Sequence, residues 1–396
     1  MVFSVTDYRF QCVKLGLKEK PEKYYTDPSL ILTFRFPHLT TKSPPPIMSG
    51  GLEVTPLYGS FAASPNSPSP PPLCTLIRFA NTTILIDIGW APPFDPAMLT
   101  NLKAVAAEVD AVLLTGGGIQ HVAALPYAKE KFGLQARVYC TPPAYKMGQV
   151  ALYDLFGNQS HDGLAARLGF TFTSLDNYFS LLGTNPPFMT LKYSQSLTVN
   201  RKGRPVLTCA PHRSGSTVGG SYWVLERLLD NTKVCFVNGW NREKERHLNG
   251  VDVVQYGSGV DCLIWRVGAG RGHAVRELML SEDPPELPSS MQKRESALVS
   301  CVMGALRAGG NVLIPVDASA RVLELLLVLN SFWTEKRHGE SYKLCWCGSM
   351  AQNTKEFSRS MLEWMADPLG RQFDTQMRHP FALRCVAVEE RRSGEE

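Results

Sequence analysis

Residues 110–121 read DAVLLTGGGIQH, and their reading decides the class of the fold. DAVLLT is a short apolar run that ends in Gly116-Gly117-Gly118, and from His121 to Phe132 the apolar residues recur at helical spacing, with Gly133 as a stop signal. RVYCT at 137–141 supplies the next strand. Strand, tight turn, helix and strand form a βαβ unit, which predicts an α/β protein with helices lying over a sheet. A glycine-rich turn between strand and helix also presents N–H groups to an anion. Neither G-x-G-x-x-G nor G-x-x-x-x-G-K-[ST] is present, however, so a turn required for tight packing is the favoured reading of the three glycines.

Working outward, CTLIRFA (74–80) and TTILIDIGW (82–90) predict a hairpin turned at Asn81, with a short helix near 95–107. Downstream, PVLTCAP (205–211), GSYWVLERL (220–228), KVCFVN (233–238) and DCLIWRV (261–267) read as four strands, with Arg201-Lys202-Gly203-Arg204 at a hairpin tip. From about residue 283 a second α/β unit is expected. It comprises a helix over SALVSCVMGALRAG (296–309), a strand over NVLIPV (311–316), and a long helix from Ser319, as N-cap, to Trp333. The proline-rich 64–72, SPNSPSPPP, cannot pair in a sheet and reads as a connection. Residues 1–47, weakly patterned and closing on SPPP at 43–46, read as an extension ahead of the first domain.

Composition narrows the function classes. The 396 residues are 44% hydrophobic and 19% charged, so the bulk of the chain should fold. A net charge of +5 permits contact with RNA or another polyanion without demanding it. No apolar run approaches the roughly 18 residues that span a bilayer, and the N-terminus lacks a secretory pattern, so a soluble protein with no membrane partner is expected. Ten scattered cysteines, mostly beside Val, Leu or Ile, read as reduced core residues of an intracellular protein. Cys345-Trp-Cys347 would share one face of a strand, but no second pair stands near it to complete a metal site.

Taken in order, ILIDIGW, DAVLLTGGGIQHVAALPYA, VYCTPPAYKMGQVALYDL, GSTVGGSYW, HLNG and GGNVLIPVDASARVLELLLVL resemble the metallo-β-lactamase/β-CASP RNA nucleases. Within that family the closest likeness is to the degenerate branch that works in pre-mRNA 3′-end cleavage and polyadenylation. The resemblance implies an α/β fold, the metallo-β-lactamase αββα sandwich with an inserted β-CASP α/β domain. It divides the chain into an N-terminal extension (1–47), a metallo-β-lactamase-like domain (48–267), a partial β-CASP domain (268–385) and a charged tail (386–396). The strands that close the family's sandwich after the insertion have no counterpart here, so an incomplete sandwich and a truncated β-CASP domain are expected.

In active family members the turn reads S-H-x-H-x-D-H and its His and Asp side chains hold two zinc ions. At the matching positions this chain has Thr115-Gly116-Gly117-Gly118-Ile119-Gln120-His121. Gly116 and Gly118 stand for two histidines, Gln120 for the aspartate, and His121 alone remains. Ser216 matches a further histidine, Gly239 the bridging aspartate, and Arg266 an acidic residue. The resemblance therefore implies a vestigial site with no metal, no cofactor and no catalysis. It implies a nuclear scaffold subunit whose partners are other cleavage and polyadenylation factors, above all the active endonuclease paralogue. Pre-mRNA contact is expected through Arg266 and Arg271, since a cation where an acid stood suits a phosphate. Two other readings stand beside this one: a hydrolase with a mononuclear site regrouped from Asp87, His121, His212 and His247, and a degenerate subunit of the Integrator type. YKMGQ and HLNG favour the first.

Overall fold

The structure is a computed structural model that describes residues 2–6, 9–13, 22–26, 31–36, 51–58, 72–159, 172–181, 186–251, 259–266 and 291–389. The chain opens with β1 (Val2–Thr6), β2 (Arg9–Val13), β3 (Glu22–Thr26) and β4 (Ile31–Phe36). Next come β5 (Leu52–Tyr58), then the tight pair β6 (Cys74–Phe79) and β7 (Thr82–Ile86), turned through Ala80 and Asn81, both at positive φ. The βαβ unit read from residues 110–141 is β8 (Ala111–Leu113), two short helices and β9 (Arg137–Cys140). The helical run breaks into Ile119–Val122 and Leu125–Lys131 because Pro126 lacks the N–H that a continuous helix would use. β10 (Phe188–Thr190) then lies parallel to β9.

The second sheet is a meander: β11 (Leu197–Arg201), β12 (Arg204–Arg213), β13 (Ser221–Arg227) and β14 (Lys233–Val237) pair antiparallel, and β15 (Cys262–Arg266) joins in parallel. The two sheets have the orders β10-β9-β8-β7-β6-β5-β4-β3 and β11-β12-β13-β14-β15-β1-β2. Strand alternation sorts the core. In β7, Ile84 and Ile86 point between the sheets, onto Leu207, Trp223, Leu225 and Phe236, while Leu85 faces the helical layer with Leu102, Leu125 and Val138. Two apolar faces on one sheet demand cover on both sides, and here helices cover one face and the second sheet the other.

Two expectations are corrected. Residues 1–47 are not wholly outside the fold: β1 pairs with β15 and β4 with β5, so the strands β1 to β4 lengthen both sheets. Runs of five or six residues such as VFSVT and ILTFRF are strand-forming but too short to declare a period. NVLIPV forms no strand. Its Val312, Leu313 and Val316 are exposed, and only Ile314 packs on a neighbouring cluster. β16 (Leu344–Cys347) and β17 (Val386–Glu389) pair with each other, and NVLIPV joins neither.

Around that two-stranded sheet lie α6 (Met291–Arg307), α7 (Val322–Lys336), α8 (Ala351–Ser360) and α9 (Asp367–Gln376), preceded in the chain by α1 (Thr100–Val105), α2 (Ile119–Val122), α3 (Leu125–Lys131), α4 (Pro142–Gln159) and α5 (Phe172–Tyr178). Ser319 is not the cap of α7. It is buried, and the Asp317 carboxylate receives the N–H groups of Ser319, Ala320 and Arg321 instead. This helical region seats on the sandwich through Met147, Val218 and Leu248, which share a core with Leu323, Leu326, Trp364 and Phe381.

Candidate functional site: a vestigial metal loop and a charged clasp

Asp87 directly follows β7, at a φ of 59°, and is fully buried. A buried carboxylate must be satisfied, and four groups converge on this one. The Thr115 amide reaches Oδ1 at 2.7 Å and the Thr115 hydroxyl reaches Oδ2 at 2.6 Å. The Asn238 amide donates to Oδ2, and His121 Nδ1 lies 3.2 Å from the same oxygen. Since the Thr115 hydroxyl gives its proton to Asp87, it can only accept from His121 Nδ1, 3.1 Å away. The imidazole therefore carries its proton on Nδ1 and turns Nε2 toward Gly116.

Both glycines that match histidines are filled by neighbours. A Cβ on Gly116 would sit 2.8 Å from His121 Nε2, and a Cβ on Gly118 would sit 2.3 Å from Gln120 Oε1. The Ser216 loop reaches the same end of the sandwich: the Ser221 amide bonds the Thr115 carbonyl at 2.9 Å, and Asn241 N–H bonds the Ser214 carbonyl. Ser216 Oγ is 2.8 Å from Ser214 Oγ, and Gly239 follows Asn238 in the chain. Among Gly116, Gly118, Gln120, His121, Ser216 and Gly239, only His121 carries a nitrogen donor of the kind zinc takes. Its Nδ1 is already committed, so these residues do not fit a two-metal centre.

The regrouped mononuclear set does not assemble either. His212 stacks on Tyr222 with centroids 5.3 Å apart and lies 3.4 Å from Ser194 Oγ; burial lowers its pKa. His247 lies elsewhere, in a clasp that sequence reasoning missed. The backbone N–H groups of Arg246 and His247 bond the two Glu324 oxygens at 2.9 and 3.0 Å, and His247 Nδ1 lies 2.5 Å from Glu324 Oε2. Arg321 forks onto Glu245 at 2.7 and 2.8 Å, and Arg246 onto Glu295 at 2.6 Å twice. Burial pushes Glu324 up, but the His247 bond and the two backbone N–H groups outweigh it, leaving its pKa below the ordinary carboxylate value. The signal was the i, i+3 pair Arg321 and Glu324 one turn into the long helix, facing the charged ERH of 245–247.

Glu245, His247 and Glu324 place ligand-type atoms within 4.8 Å of one another, as no other group does among the described residues. The carboxylates already hold N–H donors, Glu324 those of the Arg246 and His247 backbone and Glu245 those of the Arg321 guanidinium, so the cluster is a clasp. Arg246 is thereby tied to Glu295. Arg266 ends β15 opposite Val5, and its side chain, like the whole of Arg271, lies outside the described residues. Cys345 and Cys347 are exposed on one face of β16 with Trp346 buried between them, as their spacing predicts.

A family model for the metallo-β-lactamase superfamily domain matches residues 76–264, which run from β6 into β15 and carry the whole vestigial loop. Residues 76–264 are similar to a metallo-β-lactamase superfamily domain. The chain is 32% identical to cleavage and polyadenylation specificity factor subunit 2 of Arabidopsis thaliana over 345 residues, 86% of this chain and 42% of that protein. It is 30% identical to the probable subunit 2 of Drosophila melanogaster, over 81% of this chain and 39% of that protein. An Endoribonuclease YSH1 of Gibberella zeae is 25% identical over 77% of this chain and 34% of its own length. The chain thus spans about two fifths of the length of the subunit 2 relatives it matches. Within the matched residues, the loop between β8 and α2 is anchored on Asp87 and carries Gly116, Gly118 and Gln120.

Proposed function

We propose that this protein is a non-catalytic scaffold subunit of the nuclear pre-mRNA 3′-end cleavage and polyadenylation complex, pairing with an active endonuclease paralogue. The observation that carries the reading is the occupied loop: the places of two metal-ligand histidines, at Gly116 and Gly118, are taken up by the side chains of His121 and Gln120. A catalytic two-zinc hydrolase needs open coordination positions and oxygen or nitrogen donors from several loops. Here the donors are gone and the space is closed. Relatives named as cleavage and polyadenylation specificity factor subunit 2 support the assembly. The phosphate role of Arg266 and Arg271 belongs to the same reading.

The test is metal analysis with a nuclease assay on a polyadenylation-site RNA. Purified protein dialysed against zinc is expected to hold well below one equivalent and to leave the RNA intact, while the active endonuclease paralogue co-purifies with it from nuclear extract. Stoichiometric zinc that is lost on His121→Ala, together with zinc-dependent cleavage, would overturn the reading.

A further inference from the structure

The hairpin β11–β12 turns through Lys202 and Gly203, whose φ values are 50° and 77°. Two consecutive positive φ angles define the tight turn that suits a twisted hairpin, and its first position favours Asn, Asp or Gly. A lysine there is strained and is not chosen for the turn. Arg201 and Arg204 lie directly opposite each other across the same turn. Like charges facing each other across a strand pair destabilise it, and no acid relieves them: none of the three cations has an acidic partner among the described residues, and all three are exposed. One strand over, the acids of the β13–β14 turn are already taken. Asp230 is held by Arg227 at 2.6 Å and Glu226 by Lys233 at 3.6 Å.

That neighbouring turn adds a second feature. Leu228 donates its N–H to the Val206 carbonyl, which fixes the two turns side by side. Leu228 and Leu229 are 41% and 54% exposed. Three uncompensated cations therefore stand beside two unburied leucines at one end of the seven-stranded sheet. Nucleic acid would profit from the charge, but its bases stack on aromatic rings, and residues 197–206 and 227–233 contain none. Leucines gain from burial under apolar side chains instead.

We propose that this end of the sheet, Arg201, Lys202, Arg204, Leu228 and Leu229, is a docking surface for a protein segment that carries carboxylates interleaved with apolar residues. The proposal rests on the reading of the chain as a subunit of an assembly, which supplies the need for a partner. The vestigial metal loop takes no part in it, so the two can fail separately.

The experiment uses the full chain and three fluorescent probes: a synthetic peptide of alternating Asp, Glu and Leu, an all-Glu peptide of equal charge, and oligouridylate. The leucine-bearing peptide is expected to bind tightest, by about tenfold over the all-Glu peptide, since two leucines leaving water are worth at least that. Lys202→Glu with Arg204→Glu should weaken both peptides by about tenfold or more, and Leu229→Ser should weaken only the leucine-bearing one. Unchanged thermal unfolding of these exposed variants keeps the comparison interpretable. Equal binding of the two peptides, tighter binding of oligouridylate, or indifference to Leu229→Ser would each overturn the proposal. A chain that binds zinc and cleaves RNA yet shows the expected peptide ranking would overturn only the scaffold reading.

Discussion

The Asp87 centre and the Glu324 clasp both pair a histidine with a buried or half-buried carboxylate, yet they are built on opposite principles. Around Asp87 the donors are a backbone N–H, a threonine hydroxyl, an asparagine amide and one imidazole, all within the sandwich and none of them a lysine or arginine. Around Glu324 the donors are two backbone N–H groups and the His247 imidazole, and the ion pairs Arg246–Glu295 and Arg321–Glu245 stand beside them, tying residues 241–250 to α6 and α7. The first is a site closed on itself. The second is a joint between the sandwich and the helical region. A carboxylate whose donors come from its own sandwich fixes a loop in place, whereas one whose donors come from another element fixes two elements to each other.

The largest effect should come from Asp87→Ala. It strands the Thr115 N–H, the Thr115 hydroxyl and the Asn238 amide in a dry interior, at about 1–3 kcal/mol for each unsatisfied group. Denaturant unfolding should show a loss of about 4 kcal/mol or more; a loss under about 1 kcal/mol would mean that the network relaxes without its centre.

Next, Glu324→Gln should destabilise by about 3 kcal/mol, because His247 and the facing charges lose a half-buried partner. The pH dependence separates this from packing. The folded-state pKa of Glu324 lies below its unfolded value, so its stabilisation is present above about pH 4.3 and is lost as pH falls through the folded pKa. The acid limb of the wild-type stability curve should therefore be steeper than that of Glu324→Gln. Parallel curves would assign the contribution to shape alone.

A smaller effect is expected at Gly116→Ala, about 1–3 kcal/mol, since the new Cβ meets the His121 ring. His121→Ala in the same chain should recover most of it, and a double-mutant cycle reads the coupling directly. Additive losses would show that the ring does not occupy that space. The smallest effect is reserved for Arg294→Ala. Arg294 and Glu243 extend the clasp at 2.6 Å, but both side chains are exposed, and such pairs contribute about 0–1 kcal/mol.

Much of this was legible in the linear sequence. Strand period, glycine turns and the order of motifs placed the sandwich strands from CTLIRF to CLIWR, because alternation of apolar residues is a local property of a strand with one buried face. That Gly116 and Gly118 bring no donor atom to the loop was equally legible, since glycine has none whatever its surroundings. NVLIPV was misread for the complementary reason: a strand exists only when an edge accepts its hydrogen bonds, and its residues carry no record of whether that edge is present. The same holds for the short runs within residues 1–36, which become strands by lying against β15 and β5.

By itself, then, the sequence determined the α/β sandwich and the empty side-chain positions at Gly116 and Gly118. Only the tertiary structure decided what fills that emptiness. His121 and Gln120 fold back over Gly116 and Gly118, and Asn238, 151 positions from Asp87, supplies the bond that satisfies it. The joining of residues 245–247 to a helix 77 positions away was likewise decided there. The physical reason is that the cost of burying a polar group is set at the place where the chain folds, by whichever distant donors and acceptors arrive with it.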